Sequence, residues 1–248
     1  MAKVLTALEV LKKHRWLDLT HEVNNSIPYF QAFQPLAERT LFTVEGDGFL
    51  AKEYKIVSQY GTHIDAPVHF ASGKRILTDL SLKELFLPLY VIHKEAEVAE
   101  NPDYSISVAD ILEFEAAYGK IPADSFVAFA SGWSQRWDKA ADFYNLDETG
   151  ISHTPGWSLA ALKFLHEERN ITAIGHETLD TDAGADYAKN KGLVAELYWL
   201  SQNKYQVEVL NNLKELPAVG AIIQIGVPKI AEAPGFTVRA VAILPELA

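Results

Sequence analysis

Apolar residues along the 248-residue chain recur with two different periods. Short runs rich in Val, Ile, Leu and Phe, bounded by Gly, Pro, Asn or Asp, predict strands at 16–19, 39–44, 54–57, 89–93, 126–130, 172–174, 206–210, 221–225 and 238–244. Helical spacing lies between them. Val4, Leu5, Leu8 and Leu11 form one stripe, with Glu9, Lys12 and Lys13 elsewhere on the wheel, which predicts an amphipathic surface helix over 1–14. Ser81 with Glu84 has capping-box spacing, Ser107 with Asp110 has the related acidic form, Ser158 opens a helical stretch over 159–168, and 191–202 is another. Strands outnumber helices and strict βαβ alternation is absent. The pattern predicts one α/β domain over 1–248, built on a mixed sheet with a central β-barrel-like core, not a dinucleotide-binding fold.

Composition narrows the function. Hydrophobic residues make up 48% and charged residues 22%, which suits a soluble globular chain and excludes disordered, collagenous and coiled-coil readings. The net charge is −11 and no Lys/Arg cluster exceeds two residues, so nucleic acid and anionic membrane surfaces are not expected partners. No apolar run approaches the ~20 residues that span a bilayer, and no signal peptide is visible, so a cytoplasmic location is expected. Cysteine is absent. That removes disulfides, iron–sulfur clusters, thiolate zinc sites and a Cys nucleophile together. Any metal has to be held by His, carboxylate, amide or water.

Several motifs fail on context. Gly46-Asp47-Gly48-Phe49-Leu50-Ala51 fits G-x-G-x-x-A but precedes a strand-like run instead of opening a helix. His166-Glu167 and His176-Glu177 lack the second His of a zincin pair, and no G-x-S-x-G elbow occurs. The informative segment is 58–70. On an extended chain Gln59, Gly61, His63 and Asp65 share one face, with Tyr60, Thr62 and Ile64 on the other. Gly61 leaves room for a ligand or a backbone to approach, Pro67 ends regular pairing, and His69 lies just beyond. An isolated H-x-D is more often a buried polar pair satisfied by its neighbours than a metal-site fragment. Here four polar groups converge within eleven residues, with no Lys or Arg before Lys74 and Arg75 to pair with them.

Gly61-Thr62-His63-Ile64-Asp65-Ala66-Pro67-Val68-His69-Phe70 resembles the core of the H-x-G-T-H-x-D-x-P-x-H-F motif of the cyclase-like metal-dependent hydrolases, a family that includes bacterial kynurenine formamidases and isatin hydrolases. The resemblance runs along most of the chain. Trp16-Leu17-Asp18-Leu19-Thr20-His21 looks like the family's opening strand, Ser131-Gly132-Trp133 like its T-G-W turn, and Pro155-Gly156-Trp157-Ser158 like the entry to the following helix. Residues 174–182 stand at its glycine-acid-serine-acid segment, Glu208-Val209-Leu210-Asn211-Asn212-Leu213 resembles E-N-L-x-N-L, and Phe236-Thr237-Val238-Arg239-Ala240 resembles the closing G-x-P-V-R-A strand.

The resemblance implies a mixed-sheet domain of swivelling β/β/α type. It also implies a hydrolase that cleaves the C–N amide bond of a small formamide or cyclic amide with metal-activated water. His63, Asp65 and Glu208 are the implied ligands and His69 the acid/base. Gln59 and Glu196 stand where the family usually has His, so the implied set is Gln59, His63, Asp65, Glu196 and Glu208. So oxygen-rich a set favours harder ions, which makes Mn²⁺ competitive with Zn²⁺ and is compatible with Mg²⁺. On residue type alone, Glu196 beside Leu193, Val194, Leu197 and Leu200 reads as a solvated helix position, and Glu208 as an outward-facing strand residue. His176, Glu177, Asp180 and Asp182 form a second polar cluster that reads as a pocket lining or as a capped loop. Phe30, Phe33, Trp133 and His176 are the candidate substrate contacts. Expected partners are a small-molecule substrate and a second copy or more of the chain, as homodimer or homotetramer. A lactone-hydrolysing or ring-forming enzyme, or a metal-free binding protein on the same fold, are the competing readings.

Overall fold

A computed structural model describes residues 2–245. The strands are β1 (Trp16–Asp18), β2 (Ala37–Phe42), β3 (Ala51–Lys55), β4 (His63–Asp65), β5 (Phe86–His93), β6 (Ser105–Ile106), β7 (Phe126–Ala130), β8 (Gly156–Trp157), β9 (Ala173–Gly175), β10 (Tyr205–Glu208), β11 (Ala221–Gly226), β12 (Gly235–Thr237) and β13 (Arg239–Ile243). The α-helices are α1 (Ala2–Lys13), α2 (Val44–Asp47), α3 (Glu95–Glu100), α4 (Val108–Tyr118), α5 (Ala140–Tyr144), α6 (Leu159–Glu167), α7 (Gly184–Asn190) and α8 (Val194–Ser201).

Nine strands form one mixed sheet, ordered β1-β13-β11-β5-β7-β9-β10-β4-β12, which curls into a half-barrel. This is the α/β class with a barrel-like core that the sequence pattern predicts. The middle differs in detail from the expected lack of βαβ alternation: β5, β7, β9 and β10 run parallel, with α4, α6 and α8 in their crossovers. The flanking strands pair antiparallel. Strands β6, β8 and β12 and helices α2, α3, α5 and α7 go unpredicted because none is longer than seven residues, too short for a period to register. At Ser81 the capping-box bonds form, at 2.9 and 3.4 Å, yet no helix follows. The chain turns instead, because β5 begins at Phe86.

The apolar core lies on both faces of the sheet. In β7, Phe126, Ala128 and Ala130 enter the core inside the half-barrel, while Val127 and Phe129 meet the helices on the other face. A strand buried on both faces reads as a continuous apolar run, as 126–130 does. On the helical side Ile111 and Phe114 of α4, Leu162 and Leu165 of α6, and Trp199 and Leu200 of α8 complete the layer. Helix α1 forms as expected, but Val4, Leu5 and Leu8 of its apolar stripe are exposed in this chain. No helix among the described residues is long and apolar enough to cross a membrane.

Helix α8 is held at its start by a distant side chain. Asp182 accepts from the backbone N–H of Ala195 and of Glu196, both at 2.9 Å, and so answers two of the amides that a helix N-terminus leaves unpaired. Asp182→Ala is expected to lower unfolding stability by about 1–2 kcal/mol, measurable by urea titration.

Candidate metal centre and its cavity

β4 and β10 pair with Asp65 opposite Gln206 and His63 opposite Glu208. Between these pairs Ile64 faces Val207, and both side chains sit in the core inside the half-barrel. Alternation therefore sends the four polar side chains to the opposite face, all of them buried. Glu196, in the first turn of α8, is only 3% exposed, so its helix position is not the solvated one its neighbours suggest.

Regular strand geometry begins only at His63. Gly61 has φ of 66°, so the uniform alternation expected from Gln59 to Asp65 breaks there. A Cβ at Gly61 would also meet Val23 at 2.9 Å. The bend aims the Gly61 carbonyl at His63, whose Nδ1 donates to it at 2.8 Å. A carbonyl only accepts, so Nδ1 carries a hydrogen and Nε2 of the neutral ring presents a lone pair. Nε2 lies 3.3 Å from Glu208 Oε2 and 3.6 Å from Asp65 Oδ2. A lone pair facing two carboxylate oxygens needs a cation between them. In the ion-free protein a proton serves: burial lowers the His63 pKa, but Asp65 and Glu208 more than reverse this and hold it above its ordinary value. A divalent ion meets the same need.

The acids divide by surroundings. Burial pushes Asp65 up, yet His63, His69 and a Gln206 N–H outweigh it and hold the carboxyl below its usual range. Burial and the charges of Glu208 and Asp65 push Glu196 well above its ordinary value. Asp180 is raised to about 7 by burial and by the neighbouring acids. Asp65 Oδ1, Glu196 Oε2 and Gln59 Nε2 are buried without a hydrogen-bond partner. The ligand atoms of His63, Asp65 and Glu208 lie within 4.8 Å of one another, and so do those of Asp65, His69 and Glu196, with Asp65 common to both groups. One imidazole nitrogen among buried, unpartnered carboxylate oxygens is a donor set that fits a hard or borderline divalent cation.

Gln59, His63, His69, Glu196 and Glu208 line a cavity of about 300 Å³. Phe30, Phe33, Phe70, Leu179 and Leu193 form its apolar wall. A second cavity of about 580 Å³ shares Phe30, Asp180 and Leu193 with the first and adjoins it. The His69 side chain, 26% exposed, has Nε2 3.9 Å from Asp65 Oδ1. His176 does not line the cavity; it is buried with Nε2 3.3 Å from Glu208 Oε1. The structure does not bring Trp133 there either. Its indole N–H donates to the Phe143 carbonyl at 2.9 Å, and its ring is packed into the helical-side core. Glu177 has a structural partner set: it accepts from the Ser131 and Trp133 amides and from the Ser131 and Ser134 hydroxyls, and so fastens the turn after β7.

Two participants escape the sequence reading. Gln206 is fully buried among the carboxylates. Its signal was available, because it stands two residues before Glu208 and a strand places such residues on one face. Gly235 of β12 lies directly opposite Asp65. A Cβ there would sit 2.2 Å from the Ile64 carbonyl oxygen, 2.8 Å from Gln59 Nε2 and 3.2 Å from Asp65 Oδ1.

The family described as "Putative cyclase" matches residues 17–183. An isatin hydrolase from Roseibium aggregatum is 33% identical over 208 residues, covering 82% of this chain and 78% of that protein. A kynurenine formamidase from Geobacillus thermodenitrificans is 34% identical over 80 residues, covering 32% of this chain and 38% of that protein. The solved structure of isatin hydrolase A from Ralstonia solanacearum superimposes with a TM-score of 0.90 at 31% identity, covering 98% of this chain and 96% of its own.

Gly235→Ala is expected to force β12 away from β4, lowering the melting temperature and releasing Gln59 and Asp65; calorimetry with and without added Mn²⁺ measures both effects. A second expectation concerns acid. His21 is buried, stacked on Trp137 with ring centroids 4.0 Å apart, and burial lowers its pKa from 6.5 to about 4. The unfolded chain takes up a proton that the folded state refuses, so this contribution is complete above pH 6.5 and is lost as pH falls toward 4. His21→Phe keeps a stacking ring and removes the proton. Relative to wild type it should gain about 2 kcal/mol on going from pH 7.5 to pH 5, read by urea unfolding.

Proposed function

The chain belongs to the cyclase family, and on that premise we propose that it is a metal-dependent hydrolase cleaving the C–N amide bond of a small formamide or cyclic amide. The observation that carries the reading is the locked His63 ring, whose Nε2 faces Glu208 and Asp65 at the floor of an apolar cavity. His63, Asp65 and Glu208 would hold the ion, with Gln59 and Glu196 completing the set; so many oxygens favour Mn²⁺ or Zn²⁺. When bound, such an ion supplies Lewis acidity, polarising an amide carbonyl and acidifying water.

The rest of the chemistry belongs to the chain. Phe30, Phe33 and Phe70 enclose the flat, apolar body of the substrate and exclude bulk water from the scissile bond. His69 stands on the cavity wall with its Nε2 3.9 Å from Asp65 Oδ1. From there Nε2 delivers a proton to the leaving nitrogen as the C–N bond breaks, the role of a positioned general acid. The isatin hydrolase and kynurenine formamidase relatives act on compounds of these two classes, a cyclic amide and a formamide.

His63→Ala and Asp65→Ala are expected to abolish both metal content, measured by elemental analysis, and hydrolysis of a panel of formamides and cyclic amides. Exhaustive chelation should remove the activity and Mn²⁺ or Zn²⁺ should restore it. Full activity in the chelated protein overturns the proposal.

A further inference from the structure

Gln206 takes no part in the hydrolysis described above, yet its amide reaches three acids of the centre. Its amide oxygen lies 2.9 Å from the Thr181 hydroxyl. An amide oxygen has no hydrogen to give, so Thr181 donates and the amide is fixed with its –NH₂ toward the acids. Nε2 then stands 2.9 Å from Glu208 Oε1, 3.1 Å from Glu196 Oε1 and 3.2 Å from Asp65 Oδ2. The two N–H hydrogens are shared among these three oxygens, one on each acid. Glu208 Oε2 and Asp65 Oδ2 face His63 Nε2, and Asp65 Oδ1 and Glu196 Oε2 are buried and unpartnered.

We propose that Gln206, aimed by Thr181, is the positioning residue of the metal centre, drawing Asp65, Glu196 and Glu208 together around its two N–H donors so that Asp65 and Glu208 face His63 and the set is gathered for a divalent ion. The inference rests on the metal-centre reading given above. Its physical basis is preorganisation. Three carboxylates without a donor among them repel and swing apart, and an arriving ion then has to gather them. Partners of this outer kind typically contribute about 10- to 100-fold in metal affinity.

The test is Mn²⁺ binding by the full chain, without substrate, measured by chelator competition and by the electron paramagnetic resonance of the bound ion. Gln206→Leu keeps the volume and removes the donors; it should weaken Mn²⁺ binding by about 10- to 100-fold. Thr181→Val should weaken it in the same direction and alter the resonance line shape, while Thr181→Ser, which keeps the hydroxyl, restores both. A role confined to packing predicts the opposite: altered thermal unfolding of the ion-free variants with unchanged Mn²⁺ affinity and line shape. If Gln206→Leu does not fold, the Thr181→Val and Thr181→Ser pair decides. Wild-type affinity in Gln206→Leu or in Thr181→Val overturns this inference alone. Failure of the wild-type chain to bind Mn²⁺ or Zn²⁺ overturns the metal-centre reading and this inference with it.

Discussion

Asp65, Asp180, Glu196 and Glu208 crowd one buried region, and no lysine or arginine lines the cavity that Asp180, Glu196 and Glu208 share. Taking a carboxylate out of water costs several kcal/mol even after the protein relaxes, and each neighbouring carboxylate adds repulsion. Elsewhere the chain meets such costs with a cation of its own. Glu115 is clamped by Arg169 through two bonds of 2.6 and 2.7 Å, and Lys94 gathers Glu97, Asp110 and Glu113. The centre uses other means: the His63 imidazole against Asp65 and Glu208, the Gln206 amide, and, at Asp180 and Glu196, carboxyl pKa values pushed up by burial and neighbouring charge. This difference sets the centre apart from the ion-pair networks around Arg169 and Lys94.

The fold makes so costly an arrangement possible through register. Strand β10 is parallel to β9 on one side and antiparallel to β4 on the other, so the centre lies where the parallel sheet ends. On the barrel face the pair is anchored by Ile64 against Val207, each fully buried. Burying an apolar side chain of that size contributes about 1.5–3 kcal/mol. The same pairing that seals the core therefore orients the acids, and slipping it by one residue would turn the polar set into the barrel.

How much of this was legible varies residue by residue. His63 and Asp65 were readable because alternation is local and their spacing is two. Glu208 was readable only through the family resemblance, since its strand position alone suggests an outward-facing residue. Gln206, two positions earlier, obeyed the same rule but drew no attention, since a neutral amide in an apolar run announces no chemistry. Glu196 looked solvated because its burial depends on where α8 docks, which is a tertiary fact. Trp133 looked like a cavity residue for the converse reason: aromatic type does not say which face it packs on. The parallel middle of the sheet was missed although its strands at 89–93, 126–130, 172–174 and 206–210 were all readable, because periodicity does not carry the direction in which strands pair. Gly61 was marked as a gap, although its left-handed φ serves to turn a carbonyl onto His63.

The centre draws its acids from two kinds of support. His63, Asp65 and Glu208 ride on strands locked into the sheet on both sides, and none can shift without breaking ladder bonds. Glu196 rides on a helix whose start is held by Asp182, from the loop that Glu177 pins to the turn after β7. The site therefore has one wall built into the sheet and one hung on a helix. The distance between Glu196 and the strand-borne acids is set by the loop that carries Asp182, a segment remote in sequence from every one of them but Glu196.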